Sequence, residues 1–251
     1  MSGHSKWSTI KRKKSAMDAK RGALFTKIGR EIEIAAREGA DPETNFKLRL
    51  VVEKARSVNM PKENIERAIR RGAGLEKGSQ LEKVMYEAYA PHGVALIIEA
   101  LTDNRNRTVA ELRRVFNRMG GSLGESGSVS WLFEEKGYIA VDPRGRDPEE
   151  VALVAIEAGA DDVVTGDRLV EVYTLLEDFK AVQSRLIEAG FTVSDAQLAL
   201  IPKTMVDLPP AETIQVMRVI DAIEELDDVA NVYSNLNIPD KVLAQYESEA
   251  A

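Results

Sequence analysis

Between residues 136 and 201 the hydrophobic pattern changes period repeatedly, in an order that few folds accommodate. Apolar runs at 138–141, 163–164, 169–176 and 192–201 predict strands, while helical spacing over 148–158 and 179–189 predicts helices. Strand, helix, strand, strand, helix, strand is the split βαβ or ferredoxin-like arrangement, which closes its own four-stranded sheet. A further helix at 211–226 and a strand at 229–236 are then left without a sheet. The economical solution returns them to strands predicted upstream at 84–90, 93–101 and 129–133, around a helix at 106–119. The 135–207 unit is then an insertion.

The first 72 residues have a different grammar. Leu24, Phe25, Ile28, Ile32 and Ala35 recur at helical spacing, with Gly39 as a left-handed stop and Asp41-Pro42 opening the next helix. Leu48, Val51, Val52, Ala55 and Val58 line a second helix, and Ile65, Ala68 and Ile69 a third, after a break at Asn59-Met60-Pro61. GAGLEKGS at 72–79 reads as a linker, because its glycines hold neither helix nor strand well. The expected fold class is α+β and multidomain, with an N-terminal helical bundle followed by two α/β domains of ferredoxin-like character. Boundaries fall at 1–76 for the bundle, 80–134 plus 208–240 for the second domain, and 135–207 for the inserted third. A chain of 251 residues is long enough for two or three cores of ordinary size.

Charge is distributed as unevenly as structure. Residues 1–30 hold nine Lys or Arg against Asp18 alone, a local +8 in a chain whose total is −7, so the remainder carries −15. An acidic body repels phosphate while a cationic arm attracts it, which localises a polyanion to one end. Lys6, Lys11, Arg12, Lys13, Lys14, Lys20 and Arg21 would neutralise successive phosphates and release counterions. Trp7 offers either a stacking surface for an unpaired base or an anchor for the arm. The break at 57–61 imitates a helix-turn-helix, whose following helix would turn Lys62, Arg67, Arg70 and Arg71 toward phosphate.

Other chemistries find little purchase. The chain has no cysteine and only two histidines, His4 and His92, so thiolate metal sites, disulfides and cysteine nucleophiles are excluded and no metal or other cofactor is expected. GGSLG at 120–124 matches G-x-S-x-G with Ser122 in the nucleophile position, yet a helix precedes it, a strand follows, and both histidines lie upstream. A hydrolase built on Ser122 is therefore the remote alternative. Neither GGSLGESGS nor GAGLEKG completes a P-loop or dinucleotide fingerprint. No apolar run reaches the roughly 20 residues of a membrane span. With no signal-peptide core at its start, the expected protein is soluble and cytoplasmic.

Four stretches carry a family resemblance: SGHSKWSTIKRKKSAMDAKRGALFTKIGREI, MPKENIERAIRRG, YEAYAPHGVALIIEALTDNRNRT and GESGSVSWLFE. In that order they resemble the YebC family, which includes the mitochondrial translational activator of cytochrome oxidase subunit one. The resemblance runs essentially end to end. It implies three domains with the third inserted in the second, and a non-enzymatic regulator of gene expression. Bacterial members are described as DNA-binding transcriptional regulators; the mitochondrial relatives act in translation at the ribosome, so the implied partner is DNA or ribosomal RNA. The matching basic residues are Lys6, Lys11, Arg12, Lys13, Lys14, Lys20 and Arg21, with Arg105 and Arg107 as a second contact. Trp131 and Phe133 match too, and their alternation predicts core.

Overall fold

A computed structural model describes residues 21–77, 80–166 and 169–249. The helical unit contains α1 (Arg21–Ala35), α2 (Phe46–Ser57) and α3 (Lys62–Gly72). Ile28, Ile32, Leu48, Val52, Ala55, Ile65 and Ala68 close its core, each large side chain worth roughly 1.5–3 kcal/mol of burial. Two expected boundaries shift. Gly39 adopts φ 154°, ψ 133° rather than a left-handed helical conformation. The next helix starts at Phe46, not at Asp41-Pro42, because buried Asn45 is its cap. The Asn45 side chain accepts from the Leu48 N–H and donates to the carbonyls of Ala35 and Gly39, binding the end of one helix to the start of the next. Gly72 belongs to α3 rather than to a linker: a Cβ there would lie 2.3 Å from the Glu33 carbonyl oxygen. Its missing side chain lets α1 and α3 approach backbone to backbone.

The first sheet has strand order β3-β1-β2-β8, from β1 (Glu82–Tyr89), β2 (Ala95–Thr102), β3 (Ser122–Leu123) and β8 (Val229–Ser234), all neighbours antiparallel. Helices α4 (Arg105–Met119), α7 (Pro210–Glu224) and α8 (Asp240–Glu249) cover one face, burying Leu96, Ile98, Leu112, Phe116, Met217 and Ile220. The β1–β2 connection turns through His92 and Gly93 at φ 65° and 75°, the sense that suits a right-twisted hairpin.

The second sheet is formed by β4 (Phe133–Asp142), β5 (Asp162–Val164), β6 (Val170–Thr174) and β7 (Thr192–Pro202), with α5 (Pro148–Glu157) and α6 (Phe179–Glu188). Its order, β5-β6-β4-β7, is the expected split βαβ topology. Because β8 pairs with β2 while β4 to β7 form their own sheet, the later unit is inserted in the earlier one. The strand expected at 129–133 is instead a 3-10 turn, Ser130–Leu132, running into the ten-residue β4. That turn breaks the period-two alternation, so Phe133 is buried while Trp131 is 66% exposed, contrary to the reading of both as core. Gly137 occurs mid-strand because a Cβ there would meet the Phe179 ring at 2.2 Å.

The three parts pack on one another. Phe46 of α2 meets Phe179 of α6 edge to face at 5.7 Å, and Leu50 joins the second sheet's core. The uncovered face of the first sheet, through Ala95, Ile97 and Tyr233, leans on Leu132, Phe133 and Leu200. A cleft of about 410 Å³ remains where helical unit and both sheets converge, lined in part by Lys54, Lys83, Glu99 and Tyr233.

Candidate nucleic-acid interface

Of the expected contact residues, Lys6, Trp7, Lys11, Arg12, Lys13, Lys14 and Lys20 lie outside the described residues, and Arg21 opens α1 on an exposed surface. The structure does show where the basic stretch ends. Lys27 points into the body, its ammonium donating to the carbonyls of Glu224, Leu226 and Val229 at 2.5, 2.7 and 3.0 Å. All three of its protons are thereby used, on carbonyls at the end of α7, in the turn after it and at the start of β8. One turn on, Arg30 donates to the Asp227 carbonyl at 2.7 Å and to the Asp228 carboxylate at 2.9 Å. These two cations, counted by sequence with the arm, are the pins that dock the helical unit on the first sheet.

Asp228, 2% exposed, is the socket for those pins. Its carboxylate accepts from Thr108 at 2.8 Å, Thr102 at 3.0 Å, Arg107 at 2.9 Å and Arg30. Burial alone would raise its pKa, but the hydroxyl of Thr108, the guanidinium of Arg107 and the hydroxyl of Thr102 together hold it below the ordinary value. Arg107 also pairs with Asp103, and Arg105 makes a two-pronged contact with Glu82. Both expected contacts from this stretch are therefore engaged by carboxylates, and a phosphate would have to displace Glu82 to bind Arg105 end-on. The second helical candidate is similarly occupied: Lys62 pairs with Glu66, Arg70 with Glu76 and Arg71 with Glu33, while Arg67 has no carboxylate partner among the described residues.

Free positive charge on the body gathers instead on α4. Its outward side bears exposed Arg113, Arg114 and Arg118, none paired with a carboxylate among the described residues. Near the end of that helix lies a feature that sequence reasoning misplaced. The Trp131 indole N–H and the Tyr89 hydroxyl both donate to the Ser128 carbonyl, at 3.1 and 3.0 Å, and both rings face solvent. The loop carrying Ser128 is fastened by Glu87, whose carboxylate accepts from the N–H groups of Gly127, Val129 and Ser130 at 2.7, 2.6 and 2.8 Å. Burial pushes the Glu87 pKa up, and the amides of Val129, Gly127 and Ser130 more than offset it, leaving it lowered. Gly-Ser-Val-Ser before an aromatic was the available signal, but an exposed Trp and a buried one look alike in a short apolar stretch.

Ser122 sits in β3 opposite Tyr89, with a helix before it. The described histidine, His92, has its ring nitrogens within 3.3 Å of Glu212 and 3.0 Å of Gln215. Among the described residues no cluster of acidic or histidine side chains is suited to a metal, and no helix is long and apolar enough to cross a membrane.

The architecture thus defines a class: a helical unit pinned by basic residues to the outer of two nested antiparallel α+β units. Family models for that class match this chain over residues 5–75, as the TACO1/YebC protein N-terminal domain, and over 81–236, as the TACO1/YebC second and third domain. The chain belongs to the TACO1/YebC family. It is 50% identical to a protein of Chloroflexus aggregans and 52% identical to one of Roseiflexus castenholzii, over 99% of this chain and all of each relative. Each is named "Probable transcriptional regulatory protein", as is a Dehalococcoides mccartyi relative with 46% identity over the full length of both. Among solved structures, a conserved hypothetical protein from Aquifex aeolicus, Aq1575, superposes with TM-score 0.81 and 47% identity, covering 89% of this chain and 93% of that one.

Proposed function

We propose that this protein is a non-enzymatic regulator of gene expression that grips nucleic acid through its basic N-terminal residues. Segregation of charge carries the reading. Residues 1–20 hold six Lys or Arg against one Asp, leaving 28 cationic and 40 acidic residues in the rest of the chain. Many of the body's cations are themselves neutralised by carboxylates, as Arg30, Arg105 and Arg107 illustrate. The names of the relatives favour transcription, and for a regulator of transcription the target we propose is DNA. One observation favours a second reading, a factor acting on ribosomal RNA: the acidic body disfavours close approach to duplex, whereas an arm entering a crevice in folded RNA avoids that repulsion.

Removing residues 1–20 tests the grip. With about five phosphate contacts, affinity falls with a log-log salt slope near −3.5 on single strands and −4.5 on duplex DNA, and the truncated protein loses most of both affinity and slope. Unchanged affinity with an unchanged slope overturns the proposal. Sedimentation of a low-salt lysate separates the targets: comigration with ribosomal subunits that survives DNase supports RNA, and a specific promoter footprint supports DNA.

A further inference from the structure

We propose that Tyr89 and Trp131 form a stacking site for an unpaired nucleobase, built from body residues and not from residues 1–20; this rests on the reading that the protein binds nucleic acid. The argument begins with cost. Trp131 is 66% exposed and Tyr89 37%, in a protein that buries Phe116, Phe133, Tyr138 and Phe179 almost completely. Their polar tips converge on one acceptor, the Ser128 carbonyl, so what remains for a partner is the π surface of two neighbouring rings. Planar bases of any sequence suit such a surface.

The site is built before any ligand arrives. Glu87 spends its carboxylate on three successive loop amides, and Gly124 N–H donates to the Glu87 carbonyl at 2.8 Å, so the same residue holds the loop from both ends. A Cβ on Gly124 would lie 2.4 Å from the Ser128 hydroxyl oxygen and 3.3 Å from its Cβ, so glycine there lets the two ends of the loop meet without turning that hydroxyl aside. Ordering entropy is thereby met by the fold and not by the bound base.

Charge around the rings suits the phosphates that flank a base. Lys203 donates its backbone N–H to the carbonyl of Leu132, the residue after Trp131, at 2.8 Å, and its side chain is exposed with no carboxylate partner among the described residues. A Cβ on Gly121 would lie 2.4 Å from the Tyr89 carbonyl oxygen, so the end of α4, which carries exposed Arg118 three residues earlier, abuts the strand that bears Tyr89. Glu87 is turned to the loop amides; Glu125 is the exposed acid within the loop. Two exposed cations borne by segments that are fastened to the ring-bearing residues fit an unpaired strand better than a protein's aliphatic patch.

The experiment uses the full chain with fluorescein-labelled 12-nucleotide oligouridine RNA, oligothymidine DNA and a 12-base-pair duplex, followed by anisotropy across a salt series. Trp131→Ala is expected to weaken single-strand binding roughly five- to hundred-fold, to leave duplex binding within about twofold, and to leave the salt slope unchanged, since stacking releases no counterions. Trp131→Tyr recovers most of the loss. In a Trp7→Phe background the oligonucleotide quenches the remaining Trp131 emission. The tighter of the two single strands identifies the source of the base. Equal single-strand affinity for wild type and Trp131→Ala, or equal losses on single strand and duplex, overturns the site. So does a concentration-dependent dimer that Trp131→Ala abolishes. Replacing Lys11, Arg12, Lys13 and Lys14 by Ala separates the two proposals: unchanged binding in that variant removes the arm, while the Trp131 comparison still decides the rings.

Discussion

Replacing Asp228 by alanine removes the charge on which helical unit and first sheet both depend. Arg30 then loses its carboxylate, Arg107 keeps only Asp103, and the hydroxyls of Thr102 and Thr108 lose an acceptor. Removing one member of a buried ion pair costs about 3–5 kcal/mol. Side-chain exposures of 24% for Arg30 and 42% for Arg107 let both regain water, which places the expected loss at the lower end, about 3 kcal/mol. For a protein of this size that lowers Tm by about 6–12 °C at pH 7. The linkage has a definite sign. A carboxyl whose folded pKa is depressed contributes stability that is present above its ordinary value, 3.8, and is lost as pH falls through the lower folded value. Thermal melts of wild type and Asp228→Asn between pH 7 and pH 3 therefore converge at the acid end. The asparagine keeps the shape and one acceptor but has no charge to titrate. An Asp228→Ala melt within 1 °C of wild type, or an unchanged Tm difference between wild type and Asp228→Asn down to pH 3, would refute the account of this residue as the docking socket.

Two further perturbations test how the units are joined. Lys27→Met keeps the length of the side chain but gives up three charge-assisted hydrogen bonds, and is expected to cost about 1.5–3 kcal/mol; limited proteolysis after the helical unit should accelerate while the far-ultraviolet spectrum is unchanged. Gly72→Ala forces a methyl group to within 2.3 Å of the Glu33 carbonyl oxygen, so α1 and α3 must separate, at about 1–3 kcal/mol in urea unfolding. A neutral alanine at position 72 would show that the crossing is looser than described.

Much of the architecture is legible in residue periodicity, and the reasons for the failures are local. The second sheet follows from strand and helix periods, because its longer elements have full apolar faces, as Tyr138–Val141 and Phe179, Val182 and Leu186 show. Helix α8 escapes because Val242, Leu243 and Tyr246 are too short a pattern to stand out. Strand β3 is two residues of edge, and its place is set by Gly121 packing on Tyr89 rather than by its own side chains. At the candidate interface the difficulty is of another kind. Charge can be counted along a sequence, but its partner cannot. The acceptors of Lys27 are backbone carbonyls, which every residue possesses, and the acceptor of Arg30 and Arg107 lies some 200 and 120 residues away.

The pins also impose a timetable on biosynthesis. Lys27 and Arg30 leave the ribosome early, yet the carbonyls and carboxylate that receive them belong to residues 224–229. At about 5–20 residues per second the first helix waits roughly 10–40 s for its berth. During that interval the whole inserted unit must be made, so the earliest-born part of the protein is among the last to be locked in place.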